Sequence, residues 1–186
     1  LVGSEMCIRD RSIITIGAPL KGSYMNWSGH VKIYQNIGGN WTQIANDIEG
    51  EGTDDRSGTS VALSDDGSIV AIGAHLNNGN GDSSGHVRTY QNDGLTWNQI
   101  GSDINGEAPN DNSGTSVALS SDSNVVAVGA PSHDSWKGNV KIYQATYGII
   151  QNLSENTTEV TTFTATDVDT EDTVSWSISG DDSGLF

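Results

Sequence analysis

The sequence predicts an all-β chain: about two and a half four-stranded blades of a β-propeller on a 56-residue repeat, then half of a β-sandwich. Three observations carry that prediction. The octapeptide "SGTSVALS" stands at Ser57–Ser64 and again at Ser113–Ser120, followed by "DDGSIVAIGAH" and "SDSNVVAVGAP". No long stretch has helical periodicity, and 23 glycines against 3 prolines, amid many Ser, Thr, Asn and Asp, suit short strands joined by turns. After Gln144 the repeat gives way to alternating Thr and Val.

The period holds over the first part of the chain. Gly17, Gly73 and Gly129 are successively 56 apart, as are Trp41 and Trp97, and Ile48 and Ile104. Gly29 to Gly85 is also 56, but Gly85 to Gly138 is 53, so the loop before the third copy is three residues shorter. Surface connections change length while strands keep register.

One period reads as four strands. "GTSVALS" (58–64) and "SIVAIGA" (68–74) form a hairpin across Asp65-Asp66-Gly67. "GHVRTYQ" (85–91) follows, then "WNQI" (97–100) after the turn "NDGLT". "SIVAIGA" is almost wholly apolar and is expected to be covered on both faces. A sheet covered on both faces needs neighbours to stack on.

Residues 1–12 break the pattern. They should parallel "SGTSVALSDDGS" but read "LVGSEMCIRDRS", whereas from Ile13 "IITIGAP" sits in register over "IVAIGAH". "LVGSEMCIRDR" resembles translated adapter sequence, so 1–11 is expected to be a non-native leader, with 12–146 holding the repeats.

The repeat resembles the FG-GAP repeat of integrin-alpha-like β-propellers. The matching residues are Ser60-Val61-Ala62, Gly73-Ala74 and Gly85-His86-Val87, with Gly-Ala-Pro at 17–19 and 129–131 and His75 replacing that proline in the middle copy. Two departures stand out. Ser57 and Ser113 occupy the place of the family's phenylalanine, and its calcium loop is reduced to "DDGS" and "SDSN". Four residues cannot supply about six to eight oxygens, so these acidic residues are expected to be turn formers.

In the tail (147–186), Val160, Thr162 and Thr164 alternate with their neighbours, as do Val174, Trp176 and Ile178, which suits two half-buried strands. This stretch resembles the N-terminal half of an Ig-like, cadherin-like module. The carriers are Ser154-Glu155-Asn156, Ala165-Thr166-Asp167-Val168-Asp169 and Val174-Ser175-Trp176-Ser177-Ile178. The resemblance implies calcium binding by Glu155, Asp167 and Asp169, a hard-oxygen ligand set suited to a hard cation. The preceding Asp/Asn-rich linker of such modules is absent, and "QATYGIIQN" stands there instead.

Eight Lys+Arg against 24 Asp+Glu give a net charge of −16, which opposes binding to nucleic acid or an anionic membrane surface. Cys7 is the single cysteine, so there is no disulfide framework. No catalytic set is expected. His30 and His86 share one repeat position, filled by Asn139 in the third copy, and Ser60 and Ser116 share another. A residue recurring in every blade is read as a strand feature, and no unique serine remains for a triad.

Trp27 and Trp136 lie in the variable loop before the third strand, where a tryptophan either fills the loop's own core or stacks on a sugar or protein partner. The acidic runs "NDIEGEGTDD" (46–55) and "SDINGEAPND" (102–111) are read as solvated connections rather than cation sites. Asn26, Asn40, Asn152 and Asn156 open glycosylation sequons that matter only in a eukaryotic secretory setting.

The expected function, implied by the two resemblances, is non-enzymatic: calcium-dependent adhesion or matrix attachment by a piece of a secreted or membrane-associated surface protein. Its partner would be a protein or glycan on a cell surface or matrix, homophilic pairing included. The alternatives are a glycan-binding accessory region of a secreted degradative enzyme and a passive surface spacer.

Overall fold

The computed structural model describes residues 6–9, 12–22, 26–146 and 149–154. They lie within one compact unit, Leu1–Glu155, and form three antiparallel sheets. The first holds β1 (Met6–Arg9), β2 (Ile13–Ala18), β3 (His30–Ile37) and β4 (Asn40–Gln43), with β5 (Ile48–Glu49) returning to pair with β3. The second holds β6 (Ser60–Leu63), β7 (Ile69–Ala74), β8 (His86–Asn92) and β9 (Trp97–Asn105). The third holds β10 (Ser116–Leu119), β11 (Val125–Ala130), β12 (Asn139–Thr146) and β13 (Ile149–Ser154). The chain is all-β, and each sheet follows chain order as a meander.

The sequence period is a structural period. Ala18 pairs with His30, Ala74 with His86 and Ala130 with Asn139, so the three-residue deletion falls in the connection between β11 and β12. Val31 pairs with Ile48 as Val87 pairs with Ile104. Together β4 and β5 therefore occupy the place of β9. The break falls at Ala45 (φ 58°), whose counterpart Gly101 (φ 70°) lets β9 run on through an irregularity opposite Val87–Thr89. Only glycine holds positive φ without a steric penalty.

Two stretches outside the sequence repeat complete the outer sheets. In the first, β1 pairs Met6 with Ile16, one residue out of step with Ser60↔Gly73 and Ser116↔Gly129. In the third, residues 149–154, which the sequence assigns to the tail, pair along β12 as its fourth strand.

Turn chemistry fixes the hairpins. Asp66 Oδ1 accepts from Ser64 Oγ (2.6 Å) and Ser68 N (2.9 Å), while Gly67 supplies positive φ. One period on, Asp122 Oδ1 accepts from Ser120 Oγ (2.6 Å) and Asn124 N (3.1 Å), with Ser123 at φ 64°. These carboxylates close their own turns, as Asx residues do.

Apolar residues collect in two seams between sheets. Val31, Ile33 and Ile48 of the first sheet pack on Leu63, Val70 and Ile72 of the second. Ala62, Ala71, Val87 and Ile104 of the second pack with Leu119, Val126, Val128 and Tyr143. Strand β7 thus contributes Val70 and Ile72 to one seam and Ala71 to the other, covered on both faces as its composition predicts. Burying each large aliphatic side chain contributes about 1.5–3 kcal/mol before entropy is counted. Trp97 packs in the first seam and donates from Nε1 to Ile44 O (3.4 Å) across it.

Candidate functional site

The acidic runs are the most organised polar feature among the described residues, and they lie along the seams. Asp55 and Asp111, 4 % and 3 % exposed, hold equivalent positions at the ends of the two runs. Asp55 Oδ2 accepts from Gly52 N (2.8 Å) and from Asn77 Nδ2 (2.8 Å) in the β7–β8 connection. Asp111 Oδ2 accepts from Glu107 N (3.1 Å) and Ala108 N (2.9 Å) and lies 3.1 Å from His133 Nδ1. Asn77 and His133 are one period apart, so each seam repeats one clamp with a different donor. A buried carboxylate is tolerable only when saturated in this way.

A second repeated device lies beside it. Lys32, Arg88 and Lys141 share one position on β3, β8 and β12. Arg88 forks onto Asp103 (Nε to Oδ1 2.7 Å, Nη2 to Oδ2 2.6 Å) and reaches Glu51 Oε2 (2.6 Å) in the preceding run. Lys141 pairs with Glu107 in the same way, and Lys32 lies 3.3 Å from Asp47. The hydrogen bonds from Arg88 hold the Asp103 carboxyl below its usual range, and Asp103 in turn raises the guanidinium.

Two groups bring potential metal ligands together: His30, Asp47 and Glu49, and Glu51, His86 and Asp103, each with ligand atoms within 4.8 Å of one another. Their negative charge is already compensated. Lys21 Nζ bonds both Glu49 oxygens (2.7 and 2.8 Å), Lys32 serves Asp47, and Arg88 serves Glu51 and Asp103. Each carboxylate of both groups is thus paired with a protein cation, and each group includes an imidazole where calcium takes oxygen ligands, so these donors do not fit calcium. Burial, reinforced by Lys21 and Arg88 respectively, lowers the His30 and His86 imidazoles toward neutrality. Burial also lowers His75, whose Nδ1 lies 2.9 Å from Thr59 Oγ1.

The two tryptophans singled out by sequence have different surroundings. Trp27 is half-buried, with the Arg56 guanidinium 5.6 Å over its ring and Arg56 N donating to its carbonyl (3.1 Å). Trp136 is 81 % exposed and lines a cavity of about 320 Å³ together with Ala108, Pro109, Asn110 and Asp111. Glu155, Asp167 and Asp169 lie outside the described residues. Sequence reasoning did not single out Arg88, Asp103 or the burial of Asp55 and Asp111. The signal was the recurrence at 56 residues of Asp47/Asp103, Asp55/Asp111 and Lys32/Arg88.

Comparison with known families finds that the FG-GAP repeat matches residues 41–90, from β4 into β8. That similarity suggests an integrin-like, extracellular, adhesion-type domain, and it lends no support to a cadherin-like reading of 147–186. No curated protein matches the chain. No helix among the described residues is long and apolar enough to cross a membrane.

Proposed function

We propose that the three sheets are consecutive blades of a β-propeller and that the chain serves extracellular or cell-surface attachment through binding, without catalysis. The FG-GAP match over 41–90 carries this reading, because it runs from the last strands of the first sheet through β6 and β7 into β8 of the second, and the β7–β8 register recurs in both outer sheets. The third sheet supports the blade arrangement. Val31 and Val87 are buried in seams, whereas their counterpart Val140 and its neighbour Ile142 are 45 % and 41 % exposed, the face on which a further blade would pack.

Calcium-dependent adhesion through a cadherin-like module at 147–186 is the finer part of the proposal, with Glu155, Asp167 and Asp169 as ligands. It rests on the sequence motifs and on the hard-oxygen preference of calcium. Thermal melts of the full chain in millimolar calcium and in chelator test it, with Asp167→Ala and Asp169→Ala alongside. A ligand at about a hundred times its Kd stabilises the state that binds it by roughly 2.7 kcal/mol. The expected result is a calcium-dependent rise in Tm that both substitutions abolish; identical melts would overturn the calcium assignment and leave the attachment reading without a metal.

A further inference from the structure

The connection between β11 and β12 spans eight residues, 131–138, where the two earlier ones span eleven. The shorter path is achieved with three consecutive non-glycine residues in the left-handed region: Asp134 (φ 46°), Ser135 (φ 59°) and Trp136 (φ 72°). Such backbone is costly and persists only where its surroundings impose it. Here the base of the turn is fixed to the acidic run. Ser132 Oγ donates to Asn112 Oδ1 (2.8 Å), Ser132 N to Asp111 O (3.4 Å), and His133 meets the Asp111 carboxylate. Trp136 N closes onto Ser132 O (3.2 Å) and Gly138 N onto His133 O (3.1 Å). The effect is to hold the indole out into solvent while it lines the cavity.

The cavity is lined by both apolar and polar residues. Trp136, Pro109 and Ala108 supply the first; Asn110 and Ser135 supply an amide and a hydroxyl, beside Ser132 and Asp134, whose polar groups already bond Asn112 and Lys137. About 320 Å³ is at the small end of ligand cavities and suits one or two sugar rings rather than the roughly 800 Å² footprint of a folded partner. A pyranose presents a C–H face that can lie on an indole and hydroxyls that such groups can bond. The charge of −16 opposes an anionic glycan, while the Asp134 carboxylate at the cavity is paired with Lys137 Nζ (2.6 Å).

We infer that the cavity between Trp136 and Ala108–Asp111 binds an uncharged hexose unit of an extracellular polysaccharide. This deepens the attachment reading and rests on it for the setting of the ligand. Trp27, held beneath Arg56, has no part in it.

Affinity electrophoresis and tryptophan-fluorescence titration of the full chain against soluble mannan and β-1,3-glucan test the site, with alginate as the anionic comparison. Running both in chelator keeps the result independent of the calcium assignment. Retardation by at least one neutral polymer is expected, with Trp136→Ala losing tenfold or more in affinity, Trp136→Phe retaining most of it and Leu95→Ala matching wild type. Leu95 is equally exposed but lies far along the chain, in the β8–β9 turn. Retardation by neither neutral polymer, by alginate alone, or equally of Trp136→Ala and wild type would overturn the proposal. A melt of Trp136→Ala matching wild type confirms that any lost affinity reflects the ring and not the fold.

Discussion

Gly73 and Gly114 meet backbone to backbone across the second seam: a Cβ on Gly73 would stand 2.1 Å from the Gly114 carbonyl oxygen. Gly17 and Gly58 meet at the same distance in the first seam. The glycine of the repeated Gly-Ala pair is thus required by space between sheets, and Ser60 Oγ, donating to Gly114 O (2.8 Å), fastens the same point.

Gly73→Ala should therefore destabilise the chain by about 2–3 kcal/mol through overpacking. Gly38, at φ 60° with nothing within 4 Å of an added Cβ, isolates the backbone effect, and Gly38→Ala should cost about 1–2 kcal/mol. Urea unfolding of both variants checks the order; a harmless Gly73→Ala would mean that the sheets do not approach so closely.

Ala45→Gly is expected to stabilise. Ala45 takes the positive φ that Gly101 takes one period later, and relieving it should exceed the added unfolded-state entropy by about 0.5–1 kcal/mol. That corresponds to a rise in Tm of about 1–4 °C. Gly101→Ala should lower Tm.

Arg88→Ala should cost about 2 kcal/mol, since it leaves Asp103 and Glu51 without their shared donor. The acid limb follows from the sign of the Asp103 shift. A carboxyl lowered below 3.8 contributes stability that is fully present above that pH and is lost as pH falls through the folded value. Asp103→Asn should flatten chemical-denaturation stability against pH below about 4.

The histidines act in a separate window. Burial lowers His30, His75 and His86 from 6.5, so the folded state binds fewer protons than the unfolded state just below that pH. Their stabilisation is complete above 6.5 and declines as pH falls toward the folded values. Tm should fall between pH 7 and 5, and the triple substitution to Gln should remove that slope.

The repeat's local grammar was legible in the sequence. Asp66-Gly67 closes its hairpin with donors two residues away, and the apolar run at β7 announces cover on two faces, so the strands fall within a few residues of their expected places. The acidic runs were not legible in the same way. Nothing in the residue types distinguishes Asp55, which is saturated and buried, from its neighbour Asp54, which is exposed; beyond the local bond from Gly52 N, the difference is Asn77 on a strand connection 22 residues away.

By itself, then, the sequence determined the period, the strand order and the all-β class, because hairpins depend on turn chemistry and alternation over a few residues. The tertiary structure decided which carboxylates are clamps, which tryptophan is held under an arginine and which is presented to solvent. Those outcomes depend on groups distant in the chain, such as Arg88 on β8 and Glu51 in the connection before β6, 37 residues apart, and burial is set by whatever the neighbouring sheet covers.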